Sequence, residues 1–179
     1  MEFQQSRTYS NLLNAYNVEL MAATRSLIYG DRARQEGYIE IGNVYDTTAR
    51  NDKEHARIWL RRINEGILPT TEQFLLASVE EETYTGNVMY REYARVAREE
   101  GFNDIAALFN GVANIDLNHS LEFRNLYEDF VRNELFCKPQ RTLWICLQCG
   151  NILSGECAPL ICPVCGFPQG YYWLYEEVT

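Results

Sequence analysis

The 179-residue sequence predicts an all-α four-helix bundle followed by a small domain with short β-strands. Three observations predict this fold. Residues 7–135 are rich in Ala, Glu, Arg and Leu, which favour helices, and three of their glycines stand where helices should end. Beyond residue 140 the composition changes to Cys, Gly, Pro and aromatic residues. A chain of this length holds one sizeable core and a small satellite, which we place at residues 1–137 and 138–179.

Start and stop signals delimit the four helices. Gly37, Gly66 and Gly101 each follow a helical stretch and suit a left-handed C-cap position. The stretch Thr70–Gln73 has the form of a capping box, and Asn103 is expected to cap the last helix. These signals predict helices at residues 7–36, 39–65, 71–100 and 103–135. At 1.5 Å per residue they are about 40 to 50 Å long.

Ionisable residues interrupt the apolar stripe of every predicted helix near its middle. The second and fourth helices each carry an Asp three positions before a His, and these are the only two histidines in the chain. The first and third helices each carry a Glu on the corresponding stripe. The six residues are Glu19, Asp52, His55, Glu82, Asp116 and His119.

Four carboxylates that converge in a bundle would repel one another and take up protons unless cations were bound between them. A single acid on such a stripe is ordinarily structural, and a hydrogen-bonded polar core is the alternative explanation. Two Asp-x-x-His pairs that use both histidines favour a dinuclear metal site instead. Carboxylate and imidazole ligands suit iron or manganese better than copper, and the spacing leaves zinc open.

The tail contains a second and more specific metal motif. Cys-x2-Cys-Gly occurs twice, with twelve residues between the two cysteine pairs. Two such knuckles place four thiolates at the corners of one tetrahedron, which accepts either iron or zinc. The predicted ligands are Cys146, Cys149, Cys162 and Cys165. We interpret Cys137 and Cys157 as small buried or linker residues without a ligand role, because clustered cysteines favour metal over disulfides.

Charge and hydropathy exclude several classes of partner. The net charge is −9, and no stretch dense in Lys or Arg is present to gather phosphates, so we expect neither nucleic acid nor an anionic membrane as a partner. The amino terminus lacks the basic and apolar regions of a signal peptide, and no window is apolar enough to span a bilayer. We therefore expect a cytoplasmic protein.

Across nearly its whole length the chain resembles the rubrerythrin family. The stretches "NLLNAYNVELMAA" and "RARQEGYIEIGNVYDTTARNDKEHA" are similar to the first helix pair of that family, "ETYTGNVMYREYARVAREEGF" to its third helix, and "WICLQCGNILSGECAPLICPVCG" to its carboxy-terminal domain. The resemblance implies a ferritin-like bundle with a rubredoxin-like domain. It also implies a cytoplasmic non-haem diiron peroxidase that reduces hydrogen peroxide with electrons from an upstream donor protein or reductase, relayed through a rubredoxin-type iron. A head-to-tail homodimer is implied as well.

Carried over position by position, the resemblance makes all six interrupting residues ligands of the dinuclear site, with Glu82 as the bridging acid. Tyr90 matches a tyrosine that orders the carboxylates and helps to deliver protons. The chain departs from the family where Asp52 and Asp116 replace glutamates, where Thr85 replaces a second third-helix glutamate, and where Ser26 replaces a tyrosine. Two alternatives to the peroxidase follow: an electron-transfer or metal-binding protein with a degenerate bundle site, or a related oxidase or ferroxidase.

Overall fold

A computed structural model describes residues 2–175 and confirms the predicted fold class. Four long helical stretches precede a three-stranded antiparallel sheet. The third stretch is interrupted by a π-helix at Thr85–Met89. The helices are α1 (Arg7–Gln35), α2 (Ile39–Ile63), α3 (Thr71–Tyr84), α4 (Tyr90–Glu99) and α5 (Asn103–Val131), and the strands are β1 (Cys137–Cys146), β2 (Ile152–Cys157) and β3 (Tyr172–Leu174). Within residues 2–175, no helix combines the length and the apolarity that crossing a membrane requires.

Most of the predicted helix ends agree with the structure. The capping box is present, because the Gln73 backbone N–H donates to Thr70 Oγ1 at 3.3 Å and the Thr70 backbone N–H donates to Gln73 Oε1 at 2.8 Å. Two predictions are wrong. Asn103 is the first residue of α5 rather than its cap, and α5 ends at Val131 rather than at residue 135. The left-handed backbone of Asn133 (φ 57°) ends the helix early.

The chain divides into two compact units, residues 1–69 and 70–179. The first contains the α1–α2 hairpin, whose interface buries only small side chains: Ser26, Gly30, Ala33, Gly42, Ala49 and Ala56. A Cβ atom built on Gly42 would lie 2.8 Å from Arg34 Cγ and 3.2 Å from the Gly30 carbonyl oxygen, so the helices approach closely there. The Arg34 guanidinium closes this end of the hairpin with bonds of 2.9 and 3.2 Å to the Asp46 carboxylate.

The second unit begins with a hairpin of the same design, made of α3, the π-helix, α4 and α5. The buried small residues recur at matching positions as Ala94, Ala97, Ala106, Ala113 and Ser120. The interval from Gly101 to Asp116 equals that from Gly37 to Asp52. The interval from Glu82 to Gly101 is one residue longer than that from Glu19 to Gly37, and the π-helix lies in this longer interval. A π-helix is how an α-helix accommodates one additional residue.

Large apolar side chains on both hairpins are exposed. Ile28 of α1 is 60% exposed, and Leu108 of α5 is 70% exposed. Large exposed apolar surfaces on a folded chain mark places where another surface packs. Each hairpin, taken by itself, therefore offers an apolar face for further association.

The remainder of the second unit is a small domain built on the sheet, with strand order β2-β1-β3. Its core consists of Trp144, Cys146, Ala158, Cys162 and Tyr172. Phe136, which immediately precedes β1, packs against this core. The small domain was predicted to begin at residue 138, and β1 begins one residue earlier, at Cys137. The predicted domain boundary itself stays a prediction.

Candidate metal centres

The first candidate site lies in the α1–α2 hairpin and consists of Glu19, Asp52 and His55, which we call the first triad. One ligand atom from each side chain lies within 4.8 Å of the others. The Nδ1 atom of His55 is 3.4 Å from Glu19 Oε2 and 3.9 Å from Asp52 Oδ1. The Asp-x-x-His spacing puts the acid and the imidazole on one face of α2, toward α1.

The second triad is Glu82, Asp116 and His119, which joins α3 to α5 in the same manner. Its ligand atoms also lie within 4.8 Å of one another, and His119 Nδ1 is 3.6 Å from Glu82 Oε2. The structure thus brings the six predicted ligands together as two groups of three. The dinuclear site that would combine the two triads stays a prediction.

The charges around the triads suit a cation. The Glu19, Asp52 and Glu82 side chains are 25%, 16% and 27% exposed. Among residues 2–175, no Lys or Arg nitrogen lies within 4.0 Å of the four triad carboxylates, and Glu19, Asp52 and Glu82 are paired with histidine Nδ1 atoms. Partly buried carboxylates without a Lys or Arg partner are costly unless a metal ion neutralises them. Oxygen and imidazole donors of this kind fit iron.

Two further residues, Thr85 and Tyr90, follow Glu82 of the second triad along the chain. Thr85 begins the π-helix, and its hydroxyl donates to the Glu82 carbonyl oxygen at 3.2 Å. Tyr90 follows the π-helix and packs against Phe109, with ring centroids 5.9 Å apart. Within the part of the chain that the structure describes, its hydroxyl makes no hydrogen bond to a triad carboxylate, so the predicted role of Tyr90 stays a prediction.

Sequence reasoning missed a polar contact beside the second triad. The Ser120 hydroxyl, which follows His119, is buried and lies 2.6 Å from Thr83 Oγ1. It also donates to the Val79 carbonyl oxygen at 3.3 Å. These bonds tie α5 to α3 next to Glu82 and His119. One signal in the sequence could have revealed this contact: Ser120 stands at the position where the first hairpin buries Ala56.

The four predicted cysteine ligands form a third candidate site in the small domain. Their sulfur atoms lie within 4.8 Å of one another, and the Cys146–Cys165 and Cys149–Cys162 sulfur pairs are each 3.7 Å apart. Four sulfurs at 2.3 Å from one metal form a tetrahedron with edges of about 3.8 Å, so the spacing fits a single ion.

Tight turns with left-handed glycines build the two knuckles. Gly150 has φ 75° and Gly166 has φ 74°, a conformation that glycine adopts without strain. Their backbone N–H groups donate to the carbonyl oxygens of Cys146 and Cys162 at 2.8 and 2.9 Å. The sequence therefore folds each Cys-x2-Cys-Gly stretch so that both thiols face the same point.

The environment of this site favours thiolate at one ligand. The nearby Tyr172 hydroxyl lowers the pKa of the Cys162 thiol to about 6, although the two groups do not meet full hydrogen-bond geometry. Burial raises the pKa of Tyr172 itself to about 12, and Cys162 contributes to that rise. Since metals bind cysteine as thiolate, this arrangement suits metal binding.

The interpretation of Cys137 and Cys157 as unlinked residues was wrong. The two form a disulfide between the first residue of β1 and the last residue of β2. Cys137 is half-buried and Cys157 is exposed. Neither belongs to the four-sulfur cluster, and the absence of a ligand role for both stays a prediction.

Comparison with known proteins identifies relatives of both halves of the chain. A family model described as rubrerythrin matches residues 10–87, and one described as the rubredoxin-like domain of rubrerythrin matches residues 144–172. The chain is 30% identical to rubrerythrin-1 of Clostridium acetobutylicum over 96% of each chain. It is 33% identical to rubrerythrin of Clostridium perfringens, again over 96% of each chain, and 31% identical to that of Nitratidesulfovibrio vulgaris over 94% of each. Among solved structures, fully reduced nigerythrin is 22% identical, with a TM-score of 0.36, over 95% of this chain and 87% of that chain.

Proposed function

Because the chain belongs to the rubrerythrin family, we propose that it is a non-haem diiron peroxidase that reduces hydrogen peroxide to water. The family carries a diiron site and a rubredoxin-like four-cysteine iron site. The observation that carries the proposal is the pair of matching triads, which together offer four carboxylates and two imidazoles. This is the donor set of diiron sites in ferritin-like bundles, with Asp in place of Glu in the acid-x-x-His motifs.

The triad residues hold the reaction centre. The Nδ1 atoms of His55 and His119 lie 3.4 and 3.6 Å from Glu19 Oε2 and Glu82 Oε2, so Nδ1 is the atom with which each ring would bind a metal held by these carboxylates. When bound, the metal pair supplies electrons and accepts the negative charge that develops on both peroxide oxygens. Reduction of one H₂O₂ to two H₂O also consumes two protons. Tyr90, on the helix that follows Glu82, is the residue we propose to order the carboxylates and to deliver protons.

Cys146, Cys149, Cys162 and Cys165 would hold an iron that could relay electrons to the reaction centre from an upstream donor protein or reductase. His119 lies about 18 Å along α5 from the end of that helix, and the small domain begins beyond that end. Electron tunnelling over this distance, from the small domain to His119 of the same chain, is slow. We therefore propose a head-to-tail homodimer, in which the small domain of one copy serves the triads of the other. The exposed apolar faces of the hairpins and the exposed Trp173 and Val164 of the small domain support such packing. We place the protein in the cytoplasm.

A second candidate function is metal binding or electron transfer without turnover, and a related oxidase or ferroxidase activity is a third. Thr85 supports the second candidate, because its hydroxyl is engaged with the Glu82 backbone and supplies no carboxylate. Asp52 and Asp116 are one methylene shorter than glutamate, which limits their reach toward a shared metal pair.

The decisive test is single-turnover oxidation of the iron-loaded, fully reduced protein. We expect stoichiometric peroxide to oxidise the bundle iron far faster than dioxygen does, with water as the product. Faster oxidation by dioxygen would favour the oxidase or ferroxidase. Failure of both oxidants to react, at verified iron occupancy, would favour the degenerate site.

The dimer has a separate test. A variant inactive in the bundle, His119→Ala, mixed with one inactive in the tail, Cys162→Ser, should recover part of the steady-state peroxide turnover after subunit exchange. Absence of recovery after exchange has been verified by mass would contradict head-to-tail transfer.

A further inference from the structure

We propose that Cys137 and Cys157 are a reversible thiol–disulfide couple that peroxide oxidises, and that the disulfide locks the joint between α5 and the small domain. The inference rests on the proposed function for its oxidant and its compartment. Disulfides in cytoplasmic proteins are usually transient and sense or transfer redox equivalents, so a disulfide outside the metal sites calls for such a role.

The position of the disulfide makes it a lock. Cys137 and Cys157 lie opposite each other at the outer end of the β1–β2 ladder, and the next paired residues are Thr142 and Gly155. The bulged stretch 138–141 therefore stands between the disulfide and the regular part of the ladder. At the outer end, the Ala158 backbone N–H also donates to the Phe136 carbonyl oxygen at 2.8 Å. The disulfide is the covalent tie that holds the outgoing chain of α5 against β2.

The other ties at this joint are non-covalent. The Lys138 ammonium pairs with the Asp129 carboxylate of α5, and Phe136 packs against the core of the small domain. Those contacts remain when the disulfide is reduced. Reduction should therefore loosen the joint without unfolding either the hairpin or the small domain.

The pair lies outside the four-sulfur cluster and is accessible through one of its members. Cys157 is exposed, and among the four ligand cysteines Cys149 is exposed as well, so position outside the cluster is what separates the pair from the metal site. On the other side of the disulfide, Cys137 borders a pocket of about 320 Å³, which gives its side chain room to move away when the bond opens. The pocket is lined by Phe130, Asn133, Leu135, Phe136, Cys137 and Gln169. A small oxidant or an attacking thiol can thus reach the couple without disturbing the metal site.

The chemistry balances with peroxide as oxidant. The Cys157 thiolate attacks one oxygen of H₂O₂, which forms an S–O bond, breaks the O–O bond and releases one water after protonation. The Cys137 thiolate then attacks the Cys157 sulfur, which forms the S–S bond and releases the second water. The two thiols lose two electrons and two protons. A dithiol protein restores them through a mixed disulfide at the exposed Cys157.

The first measurement counts thiols in the full-length, metal-loaded protein. Differential alkylation followed by mass spectrometry should find Cys137 and Cys157 free after treatment with a dithiol, and disulfide-bonded after treatment with excess peroxide. The iron content of the four-cysteine site, recorded in parallel, should stay constant. A disulfide that persists in excess dithiol, or thiols that persist in excess peroxide, would overturn the proposal.

The second measurement tests the lock. Limited trypsin digestion should cut after Arg141 several-fold faster in the dithiol form than in the disulfide form, while cleavage after Arg25 in α1 serves as the internal control. Cys157→Ser should be cut at the fast rate with or without peroxide, and its iron content should match that of the parent. Equal cleavage of both forms would refute the lock.

A third arm separates this proposal from the proposed function. His119→Ala should lose peroxide turnover but still form the disulfide, and should form it at lower peroxide doses because the peroxide is no longer consumed. Disulfide formation in this variant would support the couple even if the parent protein proved not to be a peroxidase. Loss of disulfide formation in this variant would show that the couple depends on the bundle iron and would overturn direct oxidation by peroxide.

Discussion

The two helical hairpins are built alike, and their differences are concentrated around one triad. Both bury small residues between their helices, and both reach Asp and His at the same interval after a left-handed glycine. The first hairpin has uninterrupted helices and a bidentate Arg34–Asp46 ion pair. The second has a π-helix that begins three residues after Glu82 and a buried hydroxyl at Ser120. The first hairpin therefore holds its triad on regular helices, whereas the second holds its glutamate beside a distorted turn.

The comparison shows which helices differ between the two candidate metal sites. The Asp-x-x-His helices keep the same register in both halves, so the imidazoles are fixed. The helices that carry the glutamates differ, and π-helices occur often at functional sites. We conclude that the backbone difference between the two hairpins, which begins at Thr85, lies on the glutamate-bearing helix of the second hairpin.

The largest expected effect tests whether the two triads are equivalent. His55→Ala and His119→Ala should each remove bundle iron while the four-cysteine site stays filled, because each removes the nitrogen donor of one triad. Metal per chain, measured after anaerobic iron loading, reports this. Asn118→Ala, an exposed neighbour of His119, is the matched control. Full bundle occupancy in either histidine variant would show that its triad is not a metal site.

The next effect tests whether the small domain is independent of both hairpins. Ferric protein should be red from thiolate-to-iron charge transfer, and Cys162→Ser should abolish the colour by removing one of four sulfurs. Bundle iron should be unchanged, which metal analysis checks. A colourless parent protein with one zinc in the tail would contradict the electron relay.

A smaller effect tests the matching interface positions Gly42 and Ala106. Gly42→Ala should lower the free energy of unfolding by about 1–3 kcal/mol, because the new Cβ would lie 2.8 Å from Arg34 Cγ and crowd the ion pair with Asp46. Ala106→Gly should cost about 1 kcal/mol, the ordinary helix propensity difference. Thermal midpoints of both variants provide the comparison. Equal losses of unfolding free energy in the two variants would show that the helices of the first hairpin are packed no more tightly than those of the second.

The smallest effect concerns Thr85, whose counterpart at the same interval from the first-hairpin glutamate is Ala22. Thr85→Glu adds a carboxylate one turn from Glu82 and should raise peroxide turnover modestly, because an added anionic ligand stabilises the oxidised metal pair. Ala22→Glu is the matched control in the first hairpin. Rates should be compared at measured iron occupancy. Reduced stability with no gain in rate would indicate that the site has contracted around its aspartates.

The Asp-x-x-His pairs and the two cysteine knuckles could be recognised from the sequence because each lies on a single helix or within a single turn, whereas the division of the six predicted bundle ligands into two triads was not predicted. Residues three apart on a helix share a face wherever the helix lies, and two Cys-x2-Cys-Gly turns define one tetrahedron. The Cys137–Cys157 bond could not be predicted in this way. It depends on how β1 and β2 pair across a bulge, which local spacing does not determine.

The π-helix and the end of α5 were missed for a related reason. The stretch Thr85–Met89 includes Thr, Gly and Asn, which have low helix propensity, but low propensity does not specify that a π-helix replaces the α-helix there. Asn133 adopts a left-handed conformation that asparagine tolerates but does not require. In both places the backbone follows the packing of neighbouring elements rather than the intrinsic preference of its own residues.

The extra residue in the second hairpin has a rotational consequence. Each residue turns an α-helix by about 100°, so a plain insertion after Glu82 would swing every later side chain of that helix away from α5. The wide turn at Thr85–Met89 absorbs this rotation locally. Ala94 and Ala97 consequently still face α5, as Gly30 and Ala33 face α2. The π-helix therefore restores the helical register of α4 after the additional residue. The direction in which Glu82 projects relative to α4 can consequently differ from the corresponding direction of Glu19 in the first hairpin.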